Sequence, residues 1–237
     1  MEGSGTASDT KLTHGTQPSD FHIAPKPLYC SELSGADPPR HHGRKSKPVN
    51  PVETYLQEVL EIRRSGAGVK ETSYYGPLRT LLNEIGATLR PRVRCIVQLQ
   101  DRGAGLPDAG LFTADQFQRG ADAEPLPGQK PARGAIEVKP ADADARAIAE
   151  SEQVARYLRE YGSVLVANLR DFLLVGRDLD GAPATLESFS FAGDEAAFWS
   201  AATHPRKAAD EQGGRLVEFL RRVLLRNAPL TAPEDLA

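Results

Sequence analysis

GAIEVKP, residues 134–140, has the pattern of one short strand in a packed sheet. Side chains alternate across an extended chain, so Glu137 and Lys139 share one face while Ile136 and Val138 point into a core on the other. Pro140 cannot donate to a ladder, so the strand ends there. A strand with two charges on one side and β-branched residues on the other belongs to a packed sheet.

Working outward, further strands are predicted over Val93 to Leu99 (VRCIVQL) and Asp108 to Phe112, the latter after a Gly-rich turn. Two more follow, Val164 to Asn168 (VLVAN) and Phe172 to Gly176 (FLLVG), with a third near Leu186 to Phe191. Helical spacing marks the segments between and around them. Val52, Tyr55, Leu56, Val59, Leu60 and Ile62 recur at helical intervals after Pro51, which suits a first helical turn. A second helix is predicted from Glu71 to Ile85, with Tyr74, Tyr75, Leu78, Leu81, Leu82 and Ile85 as its apolar face and Gly86 as its stop. Ala145 to Tyr161 reads as one helix. Asp194 caps a short one through Trp199, and residues 206–226 form a last amphipathic one. Residues 114–133 read as a polar excursion. The order of elements predicts an α/β fold with a central sheet.

Residues 1–50 are rich in Gly, Ser, Thr, Pro and His and show no apolar period, so a disordered N-terminal arm is expected. Its basic run, Arg40 to Lys47, reads first as a solvated tail. Residues 51–228 are expected to form the folded domain, and 229–237 a tail or linker. No apolar run approaches the 18 or so residues of a membrane span, and the N-terminus lacks a basic start followed by an apolar stretch. Two cysteines, Cys30 and Cys95, suit a reduced cytoplasmic protein better than a disulfide scaffold. Cys95 lies in an apolar strand and reads as a small buried hydrophobe. The net charge of −3 argues against an indiscriminate basic coat on nucleic acid but permits a local basic face.

The chemistry is concentrated in two short segments. In LPDAG, residues 106–110, a carboxylate opens an apolar strand; in AIEVK, residues 135–139, a Glu and a Lys sit two apart. Glu-x-Lys by itself is a commonplace solvated pair that contributes little. With Asp108 at the head of a neighbouring strand, charge gathers at one sheet end, which is costly unless a metal and a substrate use it. Asp108 and Glu137 oxygens suit Mg²⁺, a hard cation that keeps waters for substrate phosphate, and Mn²⁺ can substitute. The backbone carbonyl of Val138, between Glu137 and Lys139, is an additional ligand in this reading. Lys139 orients a water or stabilises a developing anion as a compact point charge.

These segments resemble the PD-(D/E)xK nuclease superfamily over roughly residues 51–190. Pro107-Asp108 matches the PD element and Glu137-Val138-Lys139 the ExK element. Glu71 resembles the family's helix-borne acid. Gln153 and Tyr157, four apart on one helical face, resemble the QxxxY element of the RecB-type branch. The wider wording ETSYYGPLRTLLNEIG, GAGLPDAGLF, GAIEVKP and VLVANLRDFLLVG is similar to the N-terminal nuclease region of restriction-modification polypeptides that also carry an adenine-specific methyltransferase, including type ISP-like enzymes. The resemblance implies a restriction-endonuclease-like mixed β-sheet flanked by helices. It also implies a Mg²⁺-dependent DNA endonuclease with Glu71, Asp108, Glu137 and Lys139 as its catalytic set, and Gln153 and Tyr157 toward nucleic acid. Its partners would be DNA and methyltransferase or helicase regions on a longer chain or a separate subunit, with a homodimer one arrangement compatible with cutting both strands. No methyltransferase motif and no GxxxxGK[ST] loop is present.

The alternative is a catalytically silent DNA-binding or partner-positioning module that keeps a nuclease fold. Each residue also has a plainer reading. Glu71 suits a helix start through the macrodipole, Asp108 a turn, and Gln153 and Tyr157 an exposed amide and an anchoring ring. His204 reads as a residue at a helix start and Trp199 as core. The basic residues of the last helix, Arg206, Lys207, Arg215, Arg221, Arg222 and Arg226, read as a solvated face before a phosphate-binding one.

Overall fold

The computed structural model describes residues 50–66, 72–99, 105–118 and 125–227. Helix α1, Pro51–Ser65, starts as its sequence requires: Asn50 caps it by accepting from the Val52 amide, and Pro51 takes a first-turn position where no amide is needed. Gly66 ends it in a left-handed conformation. Helix α2 spans Tyr75–Ala87 after a 3-10 turn, Thr72–Tyr74, so it starts later than expected. Gly86 does not stop it. It lies inside the helix, where an added Cβ would fall 2.1 Å from the Val93 carbonyl oxygen, so its role is to let a strand backbone approach.

Among the described residues six strands follow in sequential order across one sheet: β1 Val93–Val97, β2 Ala109–Thr113, β3 Ala135–Val138, β4 Val164–Ala167, β5 Asp171–Arg177 and β6 Pro183–Ser190. Of these strands β3 and β4 pair in parallel, and β1–β2, β2–β3, β4–β5 and β5–β6 pair antiparallel. The fold is therefore mixed α/β around a central mixed sheet with helices on both sides, the class expected from the order of elements. β1 is shorter than predicted, because Gln98 takes a positive φ of 57° immediately after it.

The parallel pair needs a crossover, and the crossover departs from the single helix expected. Residues 145–161 form two helices, α3 Ala145–Ala149 and α4 Glu152–Tyr161. Asp144 caps the first through the Arg146 and Ala147 amides, and Ser151 breaks the run by capping the second through the Val154 amide. Two caps within one apolar period divide what the period alone would join. Helix α5, Glu195–Ala202, is capped by Asp194 as anticipated. The last helical run begins at Pro205 and passes through a π-helical segment: α6 Pro205–Ala208, then Ala209–Gly213, then α7 Gly214–Leu225.

The sheet has two unequal cores. On one face Val93, Leu111, Ile136, Leu165, Phe172 and their neighbours pack against α1, α2, α5 and α7. On the other Ala135, Val164, Val166, Leu173 and Val175 pack beneath α3 and α4. Trp199, 7% exposed, is core as expected, and Cys95 is a free, buried thiol pushed by burial up to about 12. Among the described residues no helix is long and apolar enough to cross a membrane. Glu71, Cys30, the basic run 40–47 and residues 229–237 lie outside the described residues.

Candidate active site

Register brings the two chemistry-bearing segments together. Ala109 pairs with Ile136 and Gly110 with Ala135 in an antiparallel ladder, so the next step of that register sets Asp108 opposite Glu137, on the same face. The contact is direct. The Val138 amide donates to Asp108 Oδ2 at 2.7 Å, so the Asp108 carboxylate is hydrogen-bonded to the residue between Glu137 and Lys139. Its other oxygen, Oδ1, accepts from the Tyr75 hydroxyl at the start of α2. The Asp108 carbonyl also accepts from the Gln98 amide at 2.8 Å, which ties the head of β2 to the end of β1.

Glu137 and Lys139 do share a face, but it is not an open one. The Glu137 side chain is 1% exposed and the Lys139 side chain 26%, with Nζ 2.7 Å from Glu137 Oε1. The α4 side of the sheet covers the carboxylate, while Ile136 and Val138 enter the larger core. A carboxylate this buried is expensive, and Lys139 offsets part of that cost. The Lys139 amide still donates to the Ala167 carbonyl at 2.8 Å, so the ladder with β4 runs to the last residue before Pro140.

Tyr157 and Gln153 approach the same spot from α4. Tyr157 is 2% exposed, so of the two it is Gln153, half-buried, that reaches the surface. Gln153 Nε2 donates to the Tyr157 hydroxyl at 3.1 Å. Burial raises the Tyr157 phenol above its ordinary range; the Gln153 hydrogen bond opposes this, and the Glu137 and Asp108 carboxylates raise it further. Gly105, at a φ of +98°, carries the loop before Asp108 over the Tyr157 ring: an added Cβ would lie 3.6 Å from Tyr157 Oη.

Asp108, Glu137, Val138 and Lys139 thus meet at one sheet end, and Tyr157 of α4 lies under the Gly105 loop that leads to it. The residue that the sequence reading missed is Tyr75, counted there as part of an apolar helix face. The signal lay in its hydroxyl: a tyrosine on a half-buried face needs a partner for its polar tip. The donor set of two carboxylates and a backbone carbonyl suits a hard divalent cation. Among the described residues, however, no group of three or more His, Cys, Asp or Glu side chains converges to hold a metal. His204 lies at the start of α6 with its ring nitrogen 2.9 Å from Thr203 Oγ1. In the last helix Arg222 pairs with Glu187 at 2.8 Å and Arg215 bonds Gln212 at 3.1 Å.

No family model and no curated protein matches the chain. Among solved structures it is similar to a chain of the DrdV–DNA complex determined by cryoEM, with 17% identity and a TM-score of 0.47. The match covers 76% of this chain and 14% of that one, a small part of the longer polypeptide.

Proposed function

We propose that this chain is a metal-dependent DNA endonuclease of restriction-endonuclease-like fold, the cleavage domain of a restriction-modification system. The observation that carries this reading is the hydrogen bond from the Val138 amide to Asp108, which joins the PD and ExK segments on adjacent strands. Asp108, Glu137 and the Val138 carbonyl would hold Mg²⁺ or Mn²⁺, and Glu71 would complete the acidic set. The bound ion would supply an activated water and neutralise charge building on the phosphate.

The chain's own residues do the rest. Lys139 brings a compact positive charge to the acids, where it orients a water or stabilises the developing anion. The half-buried amide of Gln153, steadied by the Tyr157 hydroxyl, offers donors and an acceptor to a nucleic-acid backbone. DNA is the substrate in this reading, and methyltransferase or helicase regions, on a longer chain or another subunit, are the implied partners. The purified chain, given Mg²⁺ and supercoiled plasmid, is expected to nick or cut it. Asp108→Ala is expected to lower the rate by 100-fold or more, on the order of losing one electrostatic contribution to the transition state. Cutting by that variant at the parental rate would refute the assignment.

A second reading has one observation in its favour. The Glu137 carboxylate is 1% exposed and paired with the Lys139 ammonium at 2.7 Å, which suits a silent module that positions DNA. That module would bind DNA in a salt-dependent manner and cut under no divalent metal.

A further inference from the structure

We propose that Tyr75 is a positioning residue for the candidate metal site, holding the Asp108 carboxylate in the orientation that a divalent cation requires. The inference rests on reading Asp108 as a metal ligand.

The two oxygens of Asp108 are held from two different elements. Val138 at the end of β3 donates to Oδ2, and Tyr75 at the start of α2 donates to Oδ1. One hydrogen bond leaves a carboxylate free to turn, since its terminal torsion is broad. A second bond to the other oxygen fixes its plane. The Asp108 main chain is tied to β1 through the Gln98 amide, but that bond leaves the plane of the side-chain carboxylate unset. Tyr75 is better placed to set it. It is the first residue of a 13-residue helix whose Leu78, Leu81, Leu82 and Ile85 are buried in the larger core. A donor mounted on such an element keeps its place.

The chemistry of the donor matters as much as its position. A phenol is neutral, so it orients Asp108 without cancelling the charge that would attract a cation. An ammonium at the same point would orient the carboxylate and compete with the metal. Hydrogen bonds of this kind to metal-ligating groups typically govern about 10–100-fold in affinity or activity. Tyr74, the adjacent residue, faces a different environment: burial raises its phenol while Arg63 lowers it and Glu195 raises it. It is therefore an internal control at the same helix start.

The test is Mn²⁺ binding by titration calorimetry on the full chain, for the parent, Tyr75→Phe, Tyr74→Phe and Asp108→Asn, with plasmid cleavage at rising Mn²⁺ as a second readout. The expected result is a parental site abolished in Asp108→Asn, unchanged in Tyr74→Phe, and weakened about tenfold or more in Tyr75→Phe. Cleavage by Tyr75→Phe should recover at high Mn²⁺, because orientation and not chemistry was lost. A Tyr75→Phe variant that binds Mn²⁺ like the parent, while Asp108→Asn does not, overturns the role of Tyr75 and leaves the metal site standing. Loss of cleavage in Tyr75→Phe that saturating Mn²⁺ does not restore also overturns it. Equal binding in the parent and Asp108→Asn overturns the metal site itself. Circular dichroism of Tyr75→Phe separates all of these from unfolding. Should that variant be unfolded, the phenol holds the fold and not the ligand, and the proposal fails.

Discussion

The two faces of the sheet are built from the same strands and serve different ends. Ile136 and Val138 of β3 enter a core shared with α1, α2, α5, α6 and α7, whereas Ala135 and Glu137 of the same strand face the side of α3 and α4. On the first face nearly every position is apolar, and packing decides which residue stands there. On the second a buried carboxylate interrupts the packing, and its cost is offset by Lys139. The thick face thus carries stability so that the thin face can carry charge. Strained or costly groups persist where the surrounding structure supports them.

If this division holds, damage to each face should be read by a different instrument. The largest effect is expected from Phe172→Ala. Phe172 is fully buried, with Tyr55 and Phe189 rings at 6.4 and 6.3 Å, so the cavity should cost about 3–5 kcal/mol in denaturant unfolding. The fraction that remains folded should bind Mn²⁺ as the parent does. Lys139→Met should come next, at about 3 kcal/mol, because it leaves a buried carboxylate without its ammonium. The lower end of the range applies, since the Lys139 side chain is 26% exposed. Here the two faces should diverge: Mn²⁺ should raise the melting temperature of Lys139→Met more than that of the parent, as the ion's charge replaces the lost one. Equal metal-induced shifts in both proteins would mean that Glu137 and Lys139 are a structural pair only.

The thick face was legible in the sequence because it obeys period and capping rules. Val52, Tyr55, Leu56 and Val59 recur at helical spacing, and Pro51 marks where that helix starts; the Asn50 cap was not read. GAIEVKP announced a strand, its two faces and its end. The thin face was less legible, since it depends on side chains that meet across elements. Ser151 looked like one polar residue in a helical run, yet its hydroxyl caps a second helix. Gly86 carried a helix-stop signal, but the constraint comes from Val93, seven residues on and in another element. Tyr75 showed only its ring; its partner is Asp108, which no local pattern reveals. Glu137 and Lys139 were legible as a pair, but not the burial of Glu137, because α4 covers that face only once β3 and β4 have paired.

The central claim is that Asp108, held against Val138 beside Glu137, is a ligand for a divalent cation. Titrating Mn²⁺ into the parent and into Asp108→Asn tests this most directly, since it reads the ion and needs no turnover. Saturable binding is expected in the parent and its loss in Asp108→Asn, with the parental circular dichroism kept. The same isotherm from both folded proteins would contradict it.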